Sequence, residues 1–158
     1  MYRREQVIGI VSSWDIRWRE SEGYALLITD SRLVGASLPA VADDFRAYFA
    51  PGKERDPKVD EEAGKRAEEI SRRKDFELQR DHIIKIIYYG PGMLFGGRLL
   101  FATVGRKIDV SITVISGWNP GIVSTMKTLV SSLLAFAPER LYDEKTGARI
   151  RDETSVLS

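Results

Sequence analysis

Gly23-Tyr24-Ala25-Leu26-Leu27-Ile28-Thr29-Asp30-Ser31-Arg32-Leu33-Val34-Gly35-Ala36-Ser37 is the stretch that decides how this chain folds. Two short apolar runs flank the polar tetrad Thr29 to Arg32. Polar turn-formers between apolar runs predict two antiparallel strands, Tyr24 to Thr29 and Arg32 to Ser37, joined by a tight turn. Leu26, Leu27 and Ile28 are consecutive, so the first of these strands is expected to be covered on both faces. The hairpin carries no chemistry of its own; its residues are scaffold.

Upstream, Ile8, Ile10, Ser12, Trp14, Ile16 and Trp18 share one alternating register, and Arg17 and Arg19 fall on the other. Period-two alternation predicts a strand from about Glu5 to Arg19 with the tryptophans in the core. Ser12-Ser13 marks a bend or bulge, and Ser21-Glu22-Gly23 a turn. Downstream, Val41, Phe45, Tyr48 and Phe49 recur at helical spacing, with Gly52 past the end. Asp56-Pro57 is a cap and first-turn pair for a second helix to about Lys74. Its apolar stripe, Val59, Ala63, Ala67 and Ile70, is narrow, which predicts a surface helix that covers little. Residues 39–74 therefore read as a helical insertion after the third strand.

Strand signals return at Phe76-Glu77-Leu78 and in the isoleucine-rich run His82 to Tyr89. Arg98 to Val104 and Lys107 to Ile115 form a hairpin with its turn near Gly105-Arg106. Asn119-Pro120 opens a helix with the wide apolar stripe Ile122, Met126, Leu129, Val130, Leu133 and Leu134, closed by Pro138. Such a stripe predicts deep burial against a curved sheet. Leu141 to Ile150 forms a small hairpin, and residues 151–158 a frayed tail. The layout is α+β: an antiparallel sheet of about seven strands, a helical insertion and a C-terminal helix, in one domain over residues 1–150.

Composition narrows the function classes. The 158 residues are 43% hydrophobic and 30% charged, the balance of a soluble globular domain. No apolar run is long enough to span a bilayer and the N-terminus lacks a secretory pattern, which predicts a cytoplasmic protein. With 24 basic and 23 acidic residues, the net charge of +1 makes no electrostatic case for nucleic acid. Cysteine is absent, which excludes thiolate catalysis and cysteine-based metal sites, and a single histidine, His82, excludes histidine clusters. One asparagine and two glutamines beside abundant Lys, Arg and Glu give the profile of a thermophile's protein.

Tyr24-Ala25-Leu26-Leu27-Ile28-Thr29-Asp30-Ser31-Arg32-Leu33-Val34-Gly35 resembles the "LLLT-(D/N)-x-R-(L/I)" hairpin of GRAM-type and prokaryotic PH-like domains. Phe76-Glu77-Leu78-Gln79-Arg80-Asp81-His82-Ile83 is similar to the "I-P-x-x-D-I" segment that follows in those families, with Gln79 where proline is usual. The closing helix matches the PH-like order, and the resemblance covers about two-thirds of the chain. It implies a PH-like curved sheet and a binding module for lipid, peptide or protein; fold alone does not choose among these. Lipid-binding relatives carry a basic pair beside the first loop. Arg17 and Arg19 stand there, next to Glu20 and Glu22, which offset their charge.

The candidate contact residues are Arg17, Arg19, Met93, Leu94, Phe95 and Arg98. Gly90-Pro91-Gly92-Met93-Leu94-Phe95-Gly96-Gly97-Arg98 lacks the Gly-Lys-Ser/Thr ending and the helix of a phosphate loop. Met93, Leu94 and Phe95 are instead apolar residues at a loop tip, suited to a partner or a membrane interface. His82 beside Asp81 has a base's chemistry without a nucleophile at useful spacing. Asp43-Asp44 and Asp60-Glu61-Glu62 are solvent faces of helices rather than metal ligands. No catalytic residue, metal or cofactor is expected. The leading expectation is a non-enzymatic binding module for a protein partner or an anionic membrane surface. The alternatives are a small enzyme with a polar pocket near Asp81, His82 and Tyr88 or Tyr89, and a self-assembling structural protein.

Overall fold

A computed structural model describes residues 5–19, 21–37, 47–49, 57–89, 97–112 and 120–151. Along the chain these form β1 (Val7–Trp18), β2 (Ser21–Thr29), β3 (Arg32–Ser37), β4 (Ala47–Phe49), α1 (Pro57–Arg72), β5 (Phe76–Gln79), a 3-10 turn (Arg80–His82), β6 (Ile83–Tyr89), β7 (Gly97–Thr103), β8 (Arg106–Ile112), α2 (Pro120–Phe136) and β9 (Leu141–Asp143). The architecture is mixed α+β. The strand order is β5-β3-β2-β1-β8-β7-β6-β9, with β4 paired to β1 off this path. Every pairing is antiparallel except β6 with β9.

The sheet has two wings, and β1 belongs to both. Its first half pairs with β2 on one side and β4 on the other. Its last residues, Ile16 to Trp18, pair with Ile112 to Val110 of β8. The quoted hairpin lies in the first wing, registered from Tyr24↔Ser37 to Ile28↔Leu33. As the consecutive apolar run predicts, both faces are covered. Tyr24, Leu26, Ile28 and Leu33 enter the main core with Leu129, Val130, Leu133, Phe136 and Ala137 at the C-terminal end of α2. Ala25, Leu27, Val34 and Ala36 enter a second cluster with Ala63, Ala67 and Ile70 of α1.

Three expectations are corrected here. The narrow stripe of α1 was expected to cover little, yet it seals the outer face of β1 to β3. Alanines at positions 63 and 67 let the helix backbone come close, so a thin stripe suffices to exclude water. The helical spacing of Val41 to Phe49 fails at its C-terminal end, the only part within the described residues. Residues 47–49 are strand β4, registered as Gly9↔Phe49, Ile10↔Tyr48 and Val11↔Ala47, because pairing to the free edge of β1 outweighs local periodicity. Tyr48 is buried, and its hydroxyl donates to Asp60 Oδ1 of α1 at 2.7 Å, tying strand to helix.

The third correction concerns β1, which does not keep one alternating face. The register against β2 shifts between Val7 and Gly9 and again between Ser13 and Arg17. An extra residue in one strand reverses its inside–outside phase. Ile10 therefore faces the α1 cluster, while Val11, Ile16 and Trp18 face the main core. Trp14, expected inside, lies in the second shift and is 54% exposed. Its ring passes over Gly23, where a Cβ would stand 2.5 Å from Trp14 Cε3, and Gly23 has φ +85°. Both observations require glycine there.

The remaining elements follow their sequence signals. Gly105 (φ +92°) turns β7 into β8, which are registered from Gly97↔Ile112 to Thr103↔Arg106. α2 starts at Pro120 and ends before Pro138. Its last carbonyl, on Phe136, accepts from Arg80 Nε at 2.7 Å, placing a cation at the negative end of the helix. β9 then lies parallel to β6 and folds back through Gly147 (φ +70°) so that Ile150 closes the main core. Among the described residues, no helix is long and apolar enough to cross a membrane.

Candidate functional site

The polar tetrad of the hairpin carries the densest set of polar contacts. The Thr29 hydroxyl accepts from the backbone N–H groups of Ser31 (3.2 Å) and Arg32 (3.1 Å), which closes the turn. Glu5 lies alongside. Its Oε2 accepts from Thr29 Oγ1 (2.8 Å), Ser31 Oγ (2.6 Å) and Arg32 Nε (2.8 Å), and its Oε1 from Arg32 Nη2 (3.0 Å). Arg32 also donates to Ser71 Oγ of α1 at 3.0 Å and, through Nη1, to Glu77 of β5. Lys74 Nζ reaches Glu77 Oε2 at 3.3 Å. One guanidinium thus joins the N-terminal segment, the hairpin, α1 and β5.

Electrostatics follow that geometry. Burial pushes the Glu5 carboxyl up, but hydrogen bonds from Arg32, Ser31 and Thr29 outweigh it, and the net shift is downward. The Arg32 hydrogen bond, opposed by burial and aided by Lys74, holds Glu77 below its usual value. Hydrogen bonding to Glu5 leads the shift of Arg32 upward. Each nitrogen of the Arg32 guanidinium has an internal partner, so the cluster is a structural clamp. Sequence reading placed these residues in a turn and missed the clamp, because Glu5 and Glu77 lie 27 and 45 residues from Arg32.

The predicted contact residues divide. Ile16 and Trp18 face the main core, so Arg17 between them belongs to the opposite face of the sheet. Register continues that position across neighbouring strands. Arg17 pairs with Glu22 of β2 and Ser111 of β8, Ser111 with Arg98 of β7, and Arg98 with Tyr89 of β6. Arg17 and Arg98, 81 residues apart in sequence, thus stand in one cross-strand row, with backbones about 10 Å apart at the usual strand spacing. Arg17 and Tyr89 are half-buried.

Arg19 is exposed beyond the end of β1 in the left-handed region (φ 58°). Its guanidinium lies 4.4 Å from the centroid of the Trp18 ring. Trp18 in turn packs on Phe76 (4.6 Å between centroids) and edge-on to Tyr24 (6.0 Å). Arg19 therefore covers an aromatic cluster and is not part of the row. Met93, Leu94 and Phe95 lie outside the described residues.

A polar pocket around Asp81, His82, Tyr88 and Tyr89 does not form. His82 is exposed on the 3-10 turn at one end of β6, and Tyr88 and Tyr89 lie at the other end, about 20 Å away at strand rise. Tyr88 is 1% exposed within the main core. Its hydroxyl is buried without a hydrogen-bond partner, and burial, with the charge of Asp143 adding to it, pushes the phenol up to about 12. An unmet buried hydroxyl costs about 1–3 kcal/mol. Tyr88→Phe is therefore expected to raise the unfolding free energy by about 1 kcal/mol, read as a higher urea midpoint at unchanged m-value. A lower midpoint would show that the hydroxyl contributes to the fold.

Among the described residues, no group of three or more acidic or histidine side chains is arranged to hold a metal ion. No family model matches the chain, and neither does any curated protein or solved structure compared with it.

Proposed function

We propose that the chain is a non-enzymatic binding module on a PH-like scaffold, and that Arg17 and Arg98 contact an anionic group of its ligand. The observation that carries this reading is the register Arg17↔Ser111↔Arg98, which brings two basic residues distant in sequence into one cross-strand row. Two arginines whose backbones stand about 10 Å apart suit a polyanion better than a single carboxylate. The scaffold part is supported by the order β5-β3-β2-β1-β8-β7-β6, two antiparallel meanders joined at β1, and by the helix after the last strand of the second meander. The two additions, β4 with α1 and β9, stand where an insertion and a C-terminal extension of such a scaffold would fall.

Isothermal titration with inositol hexakisphosphate at low salt tests the row, because this soluble polyanion needs no membrane. Binding is expected for the unaltered chain, with affinity at least tenfold lower in Arg17→Glu and in Arg98→Glu. Absence of binding by the unaltered chain, or equal affinity in both variants, would refute the assignment.

A further inference from the structure

We infer that the outward stripe of α1 is the surface through which the chain pairs with a second copy of itself, the two helices running antiparallel. This goes beyond the arginine row and does not draw on it. Ala63, Ala67 and Ile70 fix the side of α1 that lies on the sheet. The side turned away carries Glu61, Lys65, Glu68 and Arg72, whose spacing of four, three and four residues keeps them on one face of a helix. All four are exposed.

The stripe is its own complement. Its charges run negative, positive, negative, positive along the chain, and the opposite when the helix is read backwards. The spacing reads the same in both directions. Setting Glu61 level with Arg72 of a second, antiparallel copy therefore sets Lys65 level with Glu68, and the two-fold axis repeats both contacts. That makes four facing pairs of opposite charge and no facing pair of like charge. Lys58 and Asp75, both exposed, fall level in the same register. A parallel copy in register would set like on like, which costs about as much as the opposite pairs contribute.

The residues beside the stripe are compatible with this contact. Arg66 and Glu69 are half-buried and pair with each other at 3.5 Å. Glu62 and Arg73 stand further round the helix. Lys65 lies 3.8 Å from Glu61 of its own helix, but their side chains are 76% and 71% exposed, so a facing helix can share these charges without breaking the pair. Gly64 is exposed, and a Cβ there would meet nothing within 4 Å, so the chain's own packing makes no demand for glycine. In the paired register Gly64 stands nearly level with Glu68 of the second copy and leaves room for that side chain. The stripe holds no apolar residue. A partner that binds through a buried aromatic or aliphatic anchor finds no place for it here, whereas a second α1 meets charge with charge. The association therefore rests on exposed ion pairs and is weak and salt-dependent.

Sedimentation equilibrium of the full chain at about 0.01 M and about 1 M salt, where the screening length falls from about 30 Å to about 3 Å, tests the interface. A monomer–dimer equilibrium is expected at low salt, with affinity at least tenfold lower at high salt. Glu61→Lys/Glu68→Lys makes the four-residue stripe wholly basic, and Lys65→Glu/Arg72→Glu makes it wholly acidic. Each variant alone is expected to lose at least tenfold in self-association, since each exposed pair contributes up to about fivefold and reversal replaces attraction with repulsion. An equimolar mixture of the two variants is expected to dimerise again, because every facing pair is then opposite in sign. A cooperative thermal transition in each variant checks that it is folded. A monomeric unaltered chain at low salt, variants that self-associate as the unaltered chain does, or a mixture that stays monomeric would overturn the inference. Inositol hexakisphosphate binding reads the arginine row alone, so failure of either assignment leaves the other standing.

Discussion

Arg32→Met is expected to lower the unfolding free energy by about 3 kcal/mol. Its guanidinium is only 20% exposed and satisfies both Glu5 and Glu77. Removing one partner of a largely buried ion pair leaves the others desolvated and unpaired, at about 3–5 kcal/mol; partial solvent access puts this case at the lower end. Arg32→Lys is expected to recover little, because a single ammonium cannot span two carboxylates and Ser71 as the planar fork does. Urea unfolding of the three proteins at neutral pH measures both effects. A loss under 1 kcal/mol would mean that the clamp is peripheral.

The same residue sets a pH dependence. Glu5 and Glu77 both have folded-state pKa values below the ordinary 4.5. Groups of that kind contribute stability that is fully present above the unfolded pKa and is lost as pH falls through the folded one. The unaltered protein should therefore hold a steady urea midpoint down to about pH 4.5 and lose it below. In Arg32→Met the acid-side slope should flatten, because the carboxylates no longer differ as much between folded and unfolded chains. Parallel slopes in the two proteins would assign the acid sensitivity to other groups.

Gly9→Ala is the second large expected effect, at about 2–3 kcal/mol of lost stability. β1 and α2 cross so closely at Gly9 that a Cβ there would stand 2.0 Å from Ser132 Oγ and 2.9 Å from Ser132 Cβ, with the Tyr48 carbonyl 3.3 Å away on β4. Ser132 is 1% exposed, and its hydroxyl donates to the Thr128 carbonyl at 2.7 Å, so it has no empty space to turn into. Ser132→Gly removes the obstructing atoms. On its own it is mildly destabilising through helix propensity. In Gly9→Ala/Ser132→Gly the loss should be smaller than the sum of the single losses by at least 1 kcal/mol. Strict additivity in that cycle would disprove the contact as the cause.

These two sites show where sequence reading stops. The consecutive run Leu26-Leu27-Ile28 announced a strand covered on both faces, because no polar residue alternates with it. The stripe of α2 announced burial, and turn residues announced the β7–β8 hairpin. The phase of β1 was hidden, since a register shift moves side chains between inside and outside without altering composition; Trp14, in the shift between Ser13 and Arg17, is the consequence. The reach of α1 was hidden because alanine looks weakly apolar in sequence yet permits close helix–sheet contact. At the candidate site, Arg17 and Arg98 were each visible as basic residues next to a turn or loop. Their shared row was not, as it depends on the pairing of β1, β8 and β7.

What the sequence determined by itself is local: strands and helices from periodicity, turns from residues that favour them, and exclusion of cysteine and histidine-cluster chemistry from composition. The tertiary structure decided every relation between distant residues. Arg32 became a clamp because Glu5 and Glu77 are brought to it. Gly9 became indispensable because α2 crosses there. The physical reason is that periodicity reports which side of an element is buried, whereas register and crossing geometry are set by packing between elements, which no local pattern encodes.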